Sequence, residues 1–259
     1  LRVVELPHTY GDMLYYAVIT ISSIGYGDIT PNSNYAMPQF WGGFLSIYGI
    51  TGLTAFFGMV DIGKPVEGDT VLVSGAAGAT GSVAGQIARI KGAKNVIGIA
   101  GGSDKCNWVV NEAGFDSCID YKNEDVNARL KSLAPEGVNV VFDNVGGAVL
   151  DAVLDNLAMH AKVVICGAIS QYDDMDNVTG PSMYLRLAER QSSMEGFAYF
   201  HFPESIGPAT VELEQWLREG SITMPEEILE GIEKYVEALQ FMFDGGNLGK
   251  LLVKPRSGL

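Results

Sequence analysis

The stretch TVLVSGAAGATG, residues 70–81, decides the fold of this chain. Its first five residues form an apolar, β-branched run that is typical of a buried parallel strand. Three glycines spaced three residues apart follow that run. Residues 81–93 then place Val83, Ile87 and Ile90 on one helical face. A strand, a glycine loop and a helix in this order predict the first unit of an α/β fold.

The same alternation continues downstream and extends the sheet. Further strands are predicted over 95–100, 117–120, 138–143 and 162–167, with helices over 103–113, 123–133 and 147–158, the first of them capped by Ser103. This order predicts an α/β protein with a Rossmann-type, doubly wound parallel sheet covered by helices on both faces. Two more helices are expected over 207–219 and 226–243, and a last strand over 248–254.

Composition narrows the class of protein. The 259 residues are 47% hydrophobic and 19% charged, which is typical of a globular chain with a sizeable core. A formal net charge of −14 argues against nucleic-acid binding and against docking on anionic membranes. Three cysteines without a CxxC pair and three scattered histidines show no zinc spacing. We therefore expect reduced thiols, no metal site and a cytoplasmic protein without a signal peptide.

The glycine loop predicts a dinucleotide site. Small residues after a strand let the backbone approach a pyrophosphate, and the N–H groups at the start of the helix donate to it. A structural glycine-rich turn is the alternative interpretation. The residues predicted to hold the pyrophosphate are Gly75, Gly78, Ala79, Thr80 and Gly81.

The end of the second predicted strand favours NADP(H) over NAD(H). An NAD site usually carries Asp or Glu there, for the ribose 2′-hydroxyl. Here the strand runs into Ala100-Gly101-Gly102-Ser103 without a carboxylate, and Lys105 follows. Lys105 and the Ser103 hydroxyl are candidates for a 2′-phosphate, although Lys105 as an ordinary surface lysine remains an alternative.

Several blocks of sequence stand in the order of a known family. They are GLTAFFG (52–58), AAGATGS (76–82), DNVGG (143–147), CGAISQY (166–172), MEGF (194–197) and GNLGK (246–250). Over residues 46–254 the chain resembles the medium-chain dehydrogenase/reductase superfamily, and within it the zinc-independent prostaglandin reductase and 2-alkenal reductase branch. The resemblance implies NADPH-dependent reduction of the C=C bond of an α,β-unsaturated aldehyde or ketone. Hydride would go to the β-carbon, and the resulting enolate would be protonated.

The resemblance also implies roles for individual residues. Lys105 and Tyr121 would contact the 2′-phosphate end. Tyr172 is the candidate catalytic residue, as an enolate-facing hydroxyl that orients or protonates, with a pocket wall or cofactor contact as the alternative. The other cofactor-lining positions implied are Asn144, Cys166, Gly167, Ala168, Ile169, Ser170, Tyr172 itself and, near the nicotinamide, Phe197, Ala198, Tyr199 and Asn247. The implied partner is a small enal or enone, and a homodimer is a further expectation.

One domain of that family has no counterpart here. Its GroES-like catalytic domain is missing, and the first residue is Leu rather than Met, so we expect a truncated form. The predicted organisation is an atypical segment over 1–45, an NADP-binding Rossmann domain with flanking helices over 46–243, and a C-terminal strand and tail over 244–259. The second half of the uncharged stretch 29–60 is expected to be a buried helix.

Residues 14–31, LYYAVITISSIGYGDITP, do not match the reductase family. They resemble the pore helix and selectivity filter of potassium channels, in which backbone carbonyls replace the water shell of the ion. Three interpretations stay open: a chance match in a linker, the relic of a gene fusion, or a genuine pore element. The last would make the chain a non-catalytic NADPH-binding regulatory domain joined to a channel. Membrane association is expected under that interpretation alone.

Overall fold

The computed structural model describes residues 29–31 and 47–254, so that most of the filter-like segment lies outside the described residues. The strands are β1 (Ile29–Pro31), β2 (Thr70–Ser74), β3 (Asn95–Ala100), β4 (Ser117–Asp120), β5 (Val138–Asp143), β6 (Leu157–Ile165), β7 (Ser193–Gly196), β8 (Glu226–Glu230) and β9 (Lys250–Lys254). The α-helices are α1 (Ile50–Phe57), α2 (Ala79–Ile90), α3 (Ser103–Asn111), α4 (Val126–Leu133), α5 (Gly147–Leu154), α6 (Leu185–Glu189), α7 (Ile206–Arg218) and α8 (Tyr235–Phe243).

Six strands form one parallel sheet in the order β4-β3-β2-β5-β6-β7. The chain builds outward from β2 in one direction, then crosses back to β5 and builds in the other. This is the doubly wound Rossmann order, which confirms the predicted fold class. The point of reversal lies between β2 and β5, and ligands of such sheets bind outside the carboxyl ends of the strands there.

The sheet separates two hydrophobic cores. Along β2, Val71 and Val73 belong to the core that includes residues of α1, α2 and α7, whereas Leu72 belongs to the core on the opposite face, with residues of α4 and α5. All three side chains are fully buried. Neighbouring residues of a strand point to opposite faces, so a continuous apolar run is what a sheet covered on both sides requires.

A second, smaller sheet has the parallel order β1-β9-β8. It is fastened to the glycine loop, because the Gly249 N–H donates to the carbonyl of Ala77 at 2.8 Å. Gly78 and Gly249 also form an isolated parallel bridge. The chain just before β9 is thereby held beside the start of α2.

The apolar segment before β2 is part of the larger core. Most of α1 is buried, and α1 continues as a π-helix over Gly58–Gly63, where Met59 is fully buried. Phe57 stacks on Phe202 at 4.6 Å between ring centroids. The predicted buried helix is therefore confirmed. Within 47–254, none of the helices is long and apolar enough to cross a membrane.

Several predicted elements differ from the structure. The helix expected over 226–243 is wrong in its first half, where β8 pairs with β9 and a 3-10 turn over Ile232–Lys234 leads into α8. Ser103 is the first residue of α3 rather than its cap, and Gly102 occupies the cap position. The helix after β5 ends at Leu154, because β6 already begins at Leu157. The edge strand β7 was not predicted.

The expectation of reduced thiols is wrong for two of the three cysteines. Cys106 on α3 and Cys118 on β4 form a disulfide, with their Cα atoms 5.2 Å apart. That separation lies within the range normal for disulfides. The spacing of 12 residues gives no motif, and the fold rather than the sequence pattern brings the pair together. Cys166 is not part of this disulfide.

Candidate functional site

A cavity of about 430 Å³ lies at the carboxyl ends of the strands, where the sheet reverses direction. Residues that follow β2, β3, β4, β5 and β6 line it, and the chain between α8 and β9 closes one side. The cavity brings together most of the predicted site residues: Gly75, Gly78, Ala79, Thr80, Gly81, Lys105, Tyr121, Asn144, Cys166, Gly167, Ile169, Ser170, Tyr172 and Asn247.

The glycine loop forms the floor of the cavity beside the start of α2. Gly75 has φ +61°, a left-handed conformation that glycine adopts without strain. A Cβ on Gly81 would overlap the carbonyl oxygen of Gly75. Glycine at these two positions therefore lets the first turn of α2 approach the loop. The N-terminus of that helix borders the cavity, where its dipole favours an anion.

Lys105 and Tyr121 line another part of the cavity, and Lys122 lies close to Lys105. The Lys105 Nζ donates to the carbonyl of Gly245 at 2.7 Å, which joins α3 to the chain after α8. Burial and the nearby positive charge of Lys122 lower the pKa of the Lys105 ammonium, and Glu227 opposes that effect. A Cβ on Gly101 would lie 2.9 Å from Lys122 Cε and 3.0 Å from the Tyr121 hydroxyl oxygen. Lys122, just after β4, was not predicted; it contributes charge near Lys105 without lining the cavity.

Asp120 shapes the turn beneath these lysines. Its Oδ1 accepts the Gly102 N–H at 2.7 Å, and its Oδ2 accepts the Asn123 amide at 2.7 Å. The Asn123 amide and the Gly102 N–H hold the pKa of Asp120 below its usual range. Ser103, the residue after Gly102, is exposed and does not line the cavity. The Ser103 hydroxyl, a predicted candidate for the 2′-phosphate, is therefore not part of the cavity wall.

Asn144 lies where the chain leaves β5, in the middle of the cavity wall. Its Nδ2 donates to the Ser74 carbonyl at 2.6 Å, and its backbone N–H donates to the Ser74 hydroxyl oxygen at 2.9 Å. Both bonds tie the loop after β5 to the last residue of β2. The side chain is thus fixed in one direction relative to the glycine loop.

The loop after β6 forms the next wall. The Ala168 N–H donates to the Tyr172 hydroxyl oxygen at 3.1 Å, so this oxygen is held close to its own loop. The Ser170 N–H and hydroxyl both donate to the Val145 carbonyl, at 3.1 Å and 2.6 Å. Cys166 and Tyr172 line the cavity, whereas Ala168 lies behind it.

The chain between α8 and β9 supplies a wall that sequence reasoning found only in part. Asn247 lines the cavity as predicted, and its Nδ2 donates to the Gly249 carbonyl at 2.9 Å. The further lining residues here are Met242, Phe243, Asp244 and Gly245. They were missed because Met242 and Phe243 fall at the end of the helix predicted over 226–243, and no predicted strand ends just before Asp244 and Gly245 to mark a carboxyl end.

Phe197, Ala198 and Tyr199 do not line the cavity. Phe197 packs edge-on against Phe142, with ring centroids 6.4 Å apart, and Tyr199 packs edge-on against Phe200 at 5.7 Å. Their aromatic rings contribute to packing next to the core instead. In the part of the chain that the structure covers, no group of three or more His, Cys, Asp or Glu side chains is placed to hold a metal ion.

A family model described as zinc-binding dehydrogenase matches residues 79–213, more than half of the chain. The chain belongs to this family. The zinc-binding dehydrogenase match covers α2 to α7 and includes the loops after β3, β4, β5 and β6 that line the cavity. A second model, described as ion channel, matches residues 3–64. Its last part coincides with α1 and the π-helix, which are packed into the dehydrogenase core.

Curated proteins and a solved structure are similar to this chain along most of its length. Prostaglandin reductase 1 of Mus musculus is 41% identical over 81% of the chain and 64% of its own length. The NADPH-dependent curcumin reductase of Escherichia coli (strain K12) is 34% identical over 81% of the chain and 62% of its own length. The crystal structure of CurA from Vibrio vulnificus in complex with NADPH superposes with a TM-score of 0.80 and 37% identity, over 85% of this chain and 67% of that one. The chain thus spans a little over three fifths of the length of these curated relatives.

Proposed function

We propose that this chain is the cofactor-binding part of an NADPH-dependent oxidoreductase that reduces the C=C bond of an α,β-unsaturated aldehyde or ketone. One observation carries the proposal: a cavity at the reversal point of the sheet has a glycine loop and helix start on one side and Lys105 on the other. The likeness to the curcumin and prostaglandin reductases supports the reaction class. The likeness to CurA with NADPH supports the cofactor.

The residues present fit NADPH. Gly75 has a positive φ, and a Cβ on Gly81 would overlap the Gly75 carbonyl, so glycine at both positions keeps the loop close to the start of α2, where a pyrophosphate would bind. At the other end, β3 ends in Ala100 and continues into Gly101 and Gly102, so no carboxylate stands where NAD sites usually carry one. Lys105, with Lys122 close by, provides positive charge for a 2′-phosphate.

We assign the chemistry of the site to the wall after β6. NADPH supplies a hydride when it is bound. Tyr172 is proposed to donate a proton to the reduced substrate or to orient its oxygen, since the Ala168 N–H fixes the position of the phenolic oxygen at the cavity. Asn144 is proposed to line the nicotinamide half of the cofactor, because the bond from its side-chain amide to the Ser74 carbonyl fixes the direction of that side chain.

Titration of the chain with NADPH and with NADH tests the cofactor. We expect NADPH to bind at least tenfold more tightly, because a 2′-phosphate gains a charge-assisted hydrogen bond from Lys105. Lys105→Ala should remove this preference, weakening NADPH binding about tenfold and NADH binding less than twofold. The exposed Lys131→Ala on α4 is the matched control and should change neither. Equal affinity for both dinucleotides in the wild type would contradict the proposal.

Turnover separates this function from a second candidate. The ion-channel match over residues 3–64 favours a non-catalytic NADPH-binding domain that regulates a channel. Both candidates bind NADPH, but oxidation of NADPH by the full-length gene product in the presence of a simple enal is expected for the reductase alone. Tyr172→Phe should lower kcat at least tenfold with little change in the KM for NADPH. NADPH binding without any turnover of enals or enones would favour the regulatory domain.

A further inference from the structure

Asp143 is a buried carboxylate just beneath the cavity, at the end of β5. Its residue is 1% exposed and does not line the cavity itself. Its Oδ1 accepts the Ser74 hydroxyl at 2.6 Å and the Val145 N–H at 3.3 Å. Its Oδ2 accepts the Gly146 N–H at 2.9 Å. Each of these three groups donates to the carboxylate, which is the arrangement that an ionised Asp requires.

Ser74 connects Asp143 to Asn144 through hydrogen bonds. The Ser74 hydroxyl donates to Asp143, and its oxygen accepts the Asn144 backbone N–H at 2.9 Å. The Ser74 carbonyl accepts the Asn144 side-chain amide at 2.6 Å. Because the Asp143 carboxylate orients the Ser74 hydroxyl, the lone pairs of that oxygen face Asn144.

The backbone of Asp143 bonds to the start of the loop after β6. Its carbonyl accepts the N–H groups of Cys166 and Gly167, at 2.9 Å and 3.2 Å. Strand pairing stops at this level, because the registers end at Val73 opposite Phe142 and at Asp143 opposite Ile165. Beyond that level, Asp143 and Ser74 tie the loops after β2, β5 and β6 to one another.

We propose that Asp143 and Ser74 are positioning residues that set the loops around the nicotinamide half of the cofactor, an inference that rests on the NADPH site proposed above. They act through Asn144 and the loop that begins at Cys166. The 2′-phosphate is bound by Lys105 and does not depend on them. Burial raises the pKa of the Asp143 carboxyl, and the three donors oppose this effect. The hydrogen bonds from those donors offset part of the free-energy cost of burying the carboxylate.

The test compares two ligands that share the adenosine end. NADPH reports on the whole site, and adenosine 2′,5′-bisphosphate reports on the adenosine end alone. Asp143→Asn places an amide N–H₂ against N–H or O–H donors, and Ser74→Ala removes the link to Asn144. For each variant of the full chain we expect NADPH to bind about tenfold more weakly and the bisphosphate to change less than twofold. The increase in nicotinamide fluorescence on binding should also diminish.

Ser82→Ala is the matched control. Ser82 is equally buried, but its hydroxyl bonds to the Ala79 carbonyl within α2, so both affinities should stay as in the wild type. If Asp143→Asn fails to fold, Ser74→Ala, which keeps the carboxylate, carries the same test. Variants that bind both ligands like the wild type, or that lose both ligands equally, would overturn the inference while the proposed function stands. A wild type that binds neither ligand would overturn the proposed function and this inference with it.

Discussion

Gln86 and Thr223 are joined by two hydrogen bonds that run in opposite directions. The Gln86 Nε2 donates to the Thr223 carbonyl at 2.7 Å, and the Thr223 N–H donates to the Gln86 Oε1 at 2.7 Å. Gln86 lies on α2, the helix that begins at the glycine loop, and Thr223 precedes β8 in the smaller sheet. A single side-chain amide therefore fastens the chain of the second sheet to the cofactor helix.

Replacing that amide should cost stability. Gln86→Leu has a similar volume but loses both bonds, each worth about 1 kcal/mol, so we expect the free energy of unfolding to fall by about 2 kcal/mol. Urea denaturation measures the change. Gln215→Leu is the control, because that exposed amide bonds only to Glu219 on the next turn, and it should change stability by less than about 0.5 kcal/mol. Equal effects of the two substitutions would contradict the assignment.

Gly81→Ala should damage both the fold and the site. The new Cβ would overlap the Gly75 carbonyl, so we expect a loss of about 1–3 kcal/mol in stability and a loss of NADPH binding. Gly207→Ala makes the same change in the first turn of α7, where nothing lies within 4 Å. It should be neutral or stabilising by up to about 1 kcal/mol. Thermal unfolding and NADPH titration of both variants are the measurements. Similar stability and similar NADPH affinity of the two variants would contradict the role given to Gly81.

Asp143 should make stability depend on pH. Because burial raises its folded-state pKa above the usual 3.8, the folded protein binds the proton more tightly than the unfolded chain does. The stability that this group contributes is complete below its usual pKa and falls as the pH rises through the raised value. As the pH rises from about 4 to 7, the free energy of unfolding of Asp143→Asn should therefore increase relative to that of the wild type. Urea unfolding of both proteins across this range is the measurement, and a difference that is flat or that falls with pH would contradict it.

Reduction of the Cys106–Cys118 disulfide should lower stability by about 3 kcal/mol, since the bridge closes a short loop that restricts the unfolded chain. Thermal unfolding with and without a dithiol reductant measures the change. The double variant Cys106→Ser, Cys118→Ser should unfold at one temperature under both conditions. Thiol titration of the unreduced, denatured protein should find one reactive cysteine, Cys166, and a count of three would disprove the bridge.

Much of the larger sheet could be predicted because its strands are short apolar runs with polar helices between them. β2, β3, β4 and β5 begin and end where the sequence predicts. β8 could not be predicted, because Glu226–Glu230 has the glutamates and spacing of a helix and becomes a strand through its pairing with β9. β7 is short and exposed, with no β-branched residue, so only its partner β6 defines it.

The candidate site also contains residues that the local sequence predicts and residues that only the tertiary structure brings together. The glycine loop, Lys105 and Asn144 follow predicted strands, and each lines the cavity. The wall from Met242 to Gly245 comes from a distant part of the chain, so no local pattern marks it. The link from Asp143 through Ser74 to Asn144 depends on strands that are neighbours in space and 69 residues apart in sequence.

The bond between Lys105 and the Gly245 carbonyl has a kinetic consequence. An ammonium has three N–H donors, so Lys105 can keep this bond and still donate to a phosphate. The ammonium is therefore already held at the cavity before a phosphate arrives. Association of the cofactor should then not wait for this side chain to reorganise, and the observed association rate should rise linearly with NADPH concentration without reaching a plateau.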